Sequence, residues 1–236
     1  MQQTGFDWPL AIERNRAALL RIVAGLFAMA ALGDDGEGAA GTMPRRLRTH
    51  VLRVLKPAES AARRLVFILA RGLVVSLPAN AAAPGIVGRG NASGSGQRVP
   101  SFGLLDALKR YSPNPPRRYA TTMPRATWLG LNDPRPLPEI VVAMPGDPVD
   151  AVGLRRRLTA LQGVLGDLPR AARRMARWEA RRARDRALPD RRRGRLAPLR
   201  QGRPPGLRRQ HTHSVDGILA ECHQLAVMAR EAPDTS

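Results

Sequence analysis

A chain of 236 residues with 4% aromatics, 21 prolines and 22 glycines is long enough for a sizeable core. Its composition fits short helices joined by irregular segments, not one large compact unit. The formal net charge of +20 comes from 39 Lys+Arg against 19 Asp+Glu, and every cation except Lys56 and Lys109 is arginine. A single cysteine, Cys222, excludes an intrachain disulfide framework and a multi-cysteine metal cluster.

Residues 9–77 read as an apolar and amphipathic helical region. Its first element is the run "LLRIVAGLFAMAAL", Leu19 to Leu32, part of an apolar stretch from Ala17 that makes about 24 Å of helix against a hydrocarbon core of about 30 Å. Four readings stay open for it: an interfacial helix, a single-pass anchor, a secretion signal ending in "AMA", and half of a soluble bundle. A second helix is expected after Thr42 and Pro44, kinked or restarted at Pro57 and ended by Pro78. Leu47, Val51, Val54, Leu55, Ala58, Ala62, Leu65 and Leu69 form its apolar face, and Arg45, Arg48, Arg53, Lys56, Arg63 and Arg64 lie largely opposite. The run Leu65 to Leu77 carries Arg71 at its middle, where charge is expensive in lipid. A two-pass hairpin would put basic residues on both sides of the membrane, against the positive-inside rule, so both runs are expected to pack together or to lie together at a surface.

Residues 78–146 read as a Pro/Gly-rich irregular linker, from "GRGNASGSG" at Gly88 to the proline-interrupted stretch around Trp128. One short helix is expected within it at "SFGLLDALKR", capped by Ser101.

Residues 147–236 read as an Arg-rich helical region, partly disordered. Asp147 and Pro148 signal a helix start. Leu154, Leu158, Leu161, Leu165, Leu168, Ala172 and Met175 then alternate by four and three as a heptad seam. "GDLP" interrupts that seam with a Gly C-cap, an Asp N-cap and a first-turn proline. The seam is expected to pack on the chain's own helices or, alternatively, to serve a helical partner or homo-oligomer through Leu154, Leu158, Leu161, Leu165 and Leu168. Between Arg155 and Arg209 stand 19 arginines and four acids, three quarters of the net charge. A last helix is expected from Ser214, with Ile218, Cys222, Leu225 and Ala229 on one face.

The segments "KPAESAARRL", "DPVDAVGLRRRLTALQGVLGDLPRAARRMARW" and "RPPGLRRQHTHSVDGILAECHQLA" resemble those of uncharacterised Arg/Pro-rich bacterial proteins of no known activity. The resemblance implies no catalytic residue, cofactor or fold.

The chain carries no phosphate loop, nucleophile elbow or H-E-x-x-H pair, so a non-enzyme without cofactor is expected. His211, His213, Cys222 and His223 are ligand types, but adjacent residues on a helix diverge by about 100°, which suits Cys222 better as a small buried residue than as a zinc ligand. Arg191, Arg192, Arg193, Arg195, Arg208 and Arg209 are the candidate anion-binding residues. Guanidinium forks suit phosphate, and codon bias explains arginine over lysine without explaining the shortage of acids. The expected partner is an anionic membrane surface or, alternatively, nucleic acid bound without sequence preference. That places the protein at the inner face of a bacterial cell membrane or in the cytoplasm.

Overall fold

The structure, a computed structural model, describes residues 6–30, 41–77, 100–106, 144–187, 197–200 and 202–231. Among the described residues it is mainly helical: α1 (Trp8–Met29), β1 (Thr42–Pro44), α2 (Arg45–Arg71), β2 (Pro148–Asp150), α3 (Val152–Gly166), α4 (Leu168–Ala187) and α5 (Ser214–Glu231). The "GRGNASGSG" stretch, Trp128 and Arg191, Arg192, Arg193 and Arg195 lie outside the described residues.

Helix α2 is central and packs against each of the other helices. It buries Val51, Val54, Leu55, Ala58, Ala61, Ala62, Leu65, Val66, Phe67 and Ile68, wider than the single face its apolar periodicity indicates, because neighbours cover it on several sides. The helix does not restart at Pro57, which sits inside one continuous element. Proline cannot donate to the carbonyl one turn back, and the site is covered by a loop: Gly206, with φ +90°, lies so close that a Cβ there would meet the Pro57 backbone nitrogen at 2.8 Å. The helix ends at Arg71 and Gly72, ahead of Pro78, and the second apolar run is therefore helical only in its first half. Val74, beyond the end, is 93% exposed.

Two helix-start signals serve a different structure. Thr42 and Pro44 pair as strand β1 with β2 in an antiparallel ribbon, in the register Thr42↔Asp150, Met43↔Val149, Pro44↔Pro148. The first amides of α2 are satisfied by backbone carbonyls instead of a side-chain cap: Arg45 N–H donates to Asp147 and Arg46 N–H to Pro145, both at 2.9 Å. Asp147 and Pro148 thus belong to the turn and ribbon, and α3 begins at Val152, whose amide donates to Asp150 Oδ1 at 3.0 Å.

The heptad seam is covered by the chain's own helices. Leu154, Leu158, Leu161, Leu165, Leu168, Ala172 and Met175 are all buried, in contact with α1 and α2. "GDLP" makes a helix junction as its residues require: α3 ends at Gly166, and Asp167 Oδ1 accepts from Arg170 N–H at 3.0 Å to cap α4. Arg16 closes the same junction from α1, its Nε donating to the Leu165 carbonyl at 2.6 Å and Nη2 to the Gly166 carbonyl at 3.3 Å. A cation at a helix C-terminus is favoured by the macrodipole as well as by the free carbonyls.

Helix α1 starts as its sequence requires, with Asp7 accepting from Leu10 N–H at 2.9 Å and Pro9 in the first turn. Its buried side, including Leu19, Val23 and Leu26, joins the same core as Leu65 and Val66 of α2. No helix among the described residues is long and apolar enough to cross a membrane. In α5, Asp216 Oδ2 reaches back to Thr212 and His213 N–H, both at 3.2 Å, the acidic half of a capping box.

Gly206 sets a limit on the fold. Replacing it with alanine adds a Cβ in a left-handed conformation against the α2 backbone, and thermal unfolding of Gly206→Ala is expected to show a loss of about 1–3 kcal/mol. The same change at Gly163, where a Cβ meets nothing within 4 Å, is expected to be neutral or mildly stabilising.

Candidate functional site

Two arrangements of arginine stand out, one on the surface and one buried. The surface arrangement is on α4. Arg170, Arg173, Arg174, Arg177, Arg181 and Arg184 are all exposed. At 100° and 1.5 Å per residue they occupy about 100° of arc along about 21 Å of helix. The opposite side buries Leu168, Ala171, Ala172, Met175 and Ala176 in the core, so the stripe is held on a rigid element. Arg174 donates to the Phe102 carbonyl, and the other five stripe arginines form no ion pair among the described residues. Glu179 falls on the far side, half-buried, where desolvation pushes its carboxyl up while Arg182 and Arg71 pull it down. Trp178 is half-buried with Arg182 stacked over its ring at 5.6 Å.

Of the arginines singled out in the sequence, Arg208 and Arg209 are described. Arg208 is half-buried and donates to Thr212 Oγ1 at 3.1 Å, while Arg209 is exposed. Sequence reading centred the anion-binding face on the densest arginine run and passed over α4, where the same residue type recurs at helical spacing. The signal was available in the steps of three and four from Arg170 to Arg184.

The buried arrangement centres on Arg64, which has no exposed surface. Nη1 donates to the Ser60 carbonyl at 2.7 Å and to Ser60 Oγ at 2.6 Å, Nη2 to Asp106 Oδ2 at 3.1 Å, and Nε to His223 Nδ1 at 3.5 Å. Burial lowers the pKa of this guanidinium, and Asp106 opposes that shift. Arg64 was expected on the basic outer face of α2 and lies inside instead. Asp106 was expected inside a short helix capped by Ser101, yet residues 101–106 are non-helical. That segment is held as an extended strap: Phe102 is buried, Arg63 donates to the Gly103 carbonyl at 2.9 Å and lies over the Phe102 ring at 5.3 Å. A helix there would lose these bonds.

Asp106 also ties in a third stretch of chain. Its N–H donates to the Pro198 carbonyl at 2.9 Å, and its Oδ2 accepts from Arg200 N–H at 3.1 Å. Glu59, one turn before Arg63 on α2, receives Arg157 of α3 through two 2.9 Å bonds, a bidentate pair that raises the Arg157 pKa.

The ligand-type residues near the C-terminus are not brought together. Cys222 is buried, its thiol pushed up to about 12 by burial, so it stays protonated and unreactive. His223 faces Arg64, His213 meets His50 edge-on at 5.7 Å, and His211 is exposed. Among the described residues no three His, Cys, Asp or Glu converge on a point that a metal ion would occupy.

Removing one partner of the buried pair leaves a charge without compensation. Asp106→Ala is expected to cost about 3–5 kcal/mol in chemical denaturation, and Arg64→Met with Asp106→Leu to recover most of that loss. His223 gives a pH signature. Burial and Arg64 hold its folded pKa below the usual 6.5, so the unfolded chain takes up the proton first. Its contribution to stability is complete above pH 6.5 and is lost as pH falls below it. His223→Gln is expected to flatten the fall in melting temperature through that window.

No family model, no curated protein and no solved structure matches this chain.

Proposed function

We propose that this chain is a non-enzymatic basic protein that binds the phosphate backbone of duplex nucleic acid without sequence preference, using the arginine stripe of α4. The observation that carries the reading is the stripe itself: exposed guanidiniums at helical spacing, on a packed helix, with Glu179 turned to the opposite side. A row of fixed cations meeting a row of phosphates gains through counterion release, and guanidinium forks take phosphate oxygens two at a time.

Other polyanions fit less well. Single-stranded nucleic acid rewards stacking platforms, and Trp178, the aromatic side chain of α4, is already engaged by Arg182. Attachment to an anionic membrane by apolar insertion needs an amphipathic helix with a free apolar face. The buried sides of α1 and α2 pack into a shared core, so a membrane reading would rest on the same arginines and on scattered exposed apolar side chains such as Leu10 and Val74.

A fluorescent duplex of mixed sequence tests this. Binding to the full chain is expected to weaken steeply with salt, and Arg177→Gln and Arg181→Gln are each expected to lower affinity equally on unrelated sequences and to reduce the salt slope by about 1. Absence of binding at low ionic strength overturns the proposal. Binding to anionic vesicles that exceeds duplex binding, with the same two variants weakening it, assigns the stripe to lipid instead.

A further inference from the structure

Beside α5, and away from the arginine stripe, a half-open cavity of about 350 Å³ is lined by Phe67, Leu199, Ala226 and Val227, with Arg200, Arg230 and His223 as its polar members. The volume is at the lower end of the range for small-molecule sites, about 300–1,000 Å³, and an apolar lining with a few convergent polar groups is the usual composition of such sites. No carboxylate is among its lining residues. The guanidiniums of Arg200 and Arg230 have neither an ion pair nor a hydrogen bond among the described residues, whereas most interior-facing arginines nearby are engaged. A neighbouring recess also lined by Phe67 and Arg230 differs in holding a carboxylate, Glu179, beside Arg71 and Arg182.

The wall that carries Arg200 is fixed in place. Pro198 and Arg200 are bonded through their backbones to Asp106, which is locked onto Arg64 in the core. His223 accepts from Arg64 at Nδ1, which leaves the proton of the neutral ring on Nε2 as a further donor. An apolar recess with two unpaired cations and a neutral donor is complementary to a ligand with an alkyl body and one anionic head.

We infer that this cavity binds a free medium-chain aliphatic carboxylate, its chain against Phe67, Leu199, Ala226 and Val227 and its head between Arg200 and Arg230. The cations supply the selection: an alcohol of the same chain length fills the same apolar volume and leaves both guanidiniums unpaired. A two-chain lipid exceeds the recess, so the ligand is a free acid and not a bilayer component. This binding stands independently of the duplex proposal, because none of its residues belongs to α4.

Isothermal titration of the full chain with decanoate and with decanol tests the inference. Saturable one-to-one binding of decanoate is expected below about millimolar, with decanol at least about tenfold weaker. Arg200→Ala with Arg230→Ala is expected to bring decanoate down to the level of decanol. Val227→Trp, at a partly exposed position on the cavity lining, is expected to abolish both by filling the space, with circular dichroism verifying that each variant keeps its helices. No saturable binding of decanoate to the wild-type chain overturns the proposal. So does equal affinity for the alcohol, and so does unchanged decanoate binding in folded Val227→Trp.

Discussion

A guanidinium with no exposed surface has to be met by acceptors, and Arg64 meets that constraint by joining parts of the chain that are far apart in sequence. Ser60 lies one turn back on α2, Asp106 comes from the strap at residues 100–106, and His223 comes from α5. Moving an ion out of water costs several kcal/mol even after relaxation, and a pair offsets that cost only with good geometry and its remaining sites filled. Asp106 fills one oxygen with Arg64 and Arg200 N–H, while Arg63 approaches the other at 3.8 Å, an ion-pair distance too long for a hydrogen bond. The consequence is geometric as much as energetic. Phe102, Leu104 and Leu199 pack against the core, and the bonds of Asp106 to Arg64, Pro198 and Arg200 fix residues 100–106 and 197–200 beside one another. The cavity beside α5 inherits its wall from the same arrangement.

Arginine does two kinds of work here. Arg16, Arg63, Arg71 and Arg174 donate to backbone carbonyls of other segments, satisfying acceptors that helix ends and non-helical straps leave open. Arg157 fastens α3 to α2 through Glu59. A planar fork of five donors suits this better than an ammonium does. These residues are part of the fold, and counting them as a surface for partners overstates it. What remains on α4 is of another kind, because most of the stripe's guanidiniums have no acceptor among the described residues. A codon bias toward arginine would bear on the choice of side chain in both groups. It would not account for the placement of Glu179 across the helix from the stripe, while Asp185, the other acid of α4, falls at the stripe's edge.

The helices were legible where the apolar period was long and uninterrupted. The seam from Leu154 to Met175 predicts α3, the "GDLP" junction and α4, because the burial it encodes depends on neighbours one turn away. The ribbon was not legible: Thr42, Pro44, Asp147 and Pro148 are all sound helix-start residues, and only pairing between positions about a hundred residues apart makes them strands. The strap at Ser101–Asp106 failed for the same reason, since its bonds are to α2 and to Pro198. Arg64 was misplaced although a local signal existed. Its neighbours at one turn on either side are Ser60, Ala61, Phe67 and Ile68, all buried, which puts position 64 on the inner side of the helix whatever its charge. The cavity required the folded chain, because Phe67, Arg200 and Arg230 share no sequence pattern.

The two apolar runs bear on the proposed binding of a polyanion. If their faces were free, apolar burial would supply attachment and the arginines would only orient it. With Leu19, Val23 and Leu26 in the same core as Leu65 and Val66, that apolar surface is already used in holding α1 against α2. The proposed attachment then draws chiefly on charge, which acts over roughly a Debye length and weakens with salt. A packed helix keeps the backbone spacing of its arginines fixed while counterions leave, although each long side chain still loses rotamer freedom on meeting a phosphate. The burial that removes the apolar runs from the surface is therefore also what makes the α4 stripe rigid, since Met175 and Leu168 anchor its back to the core those runs help to build.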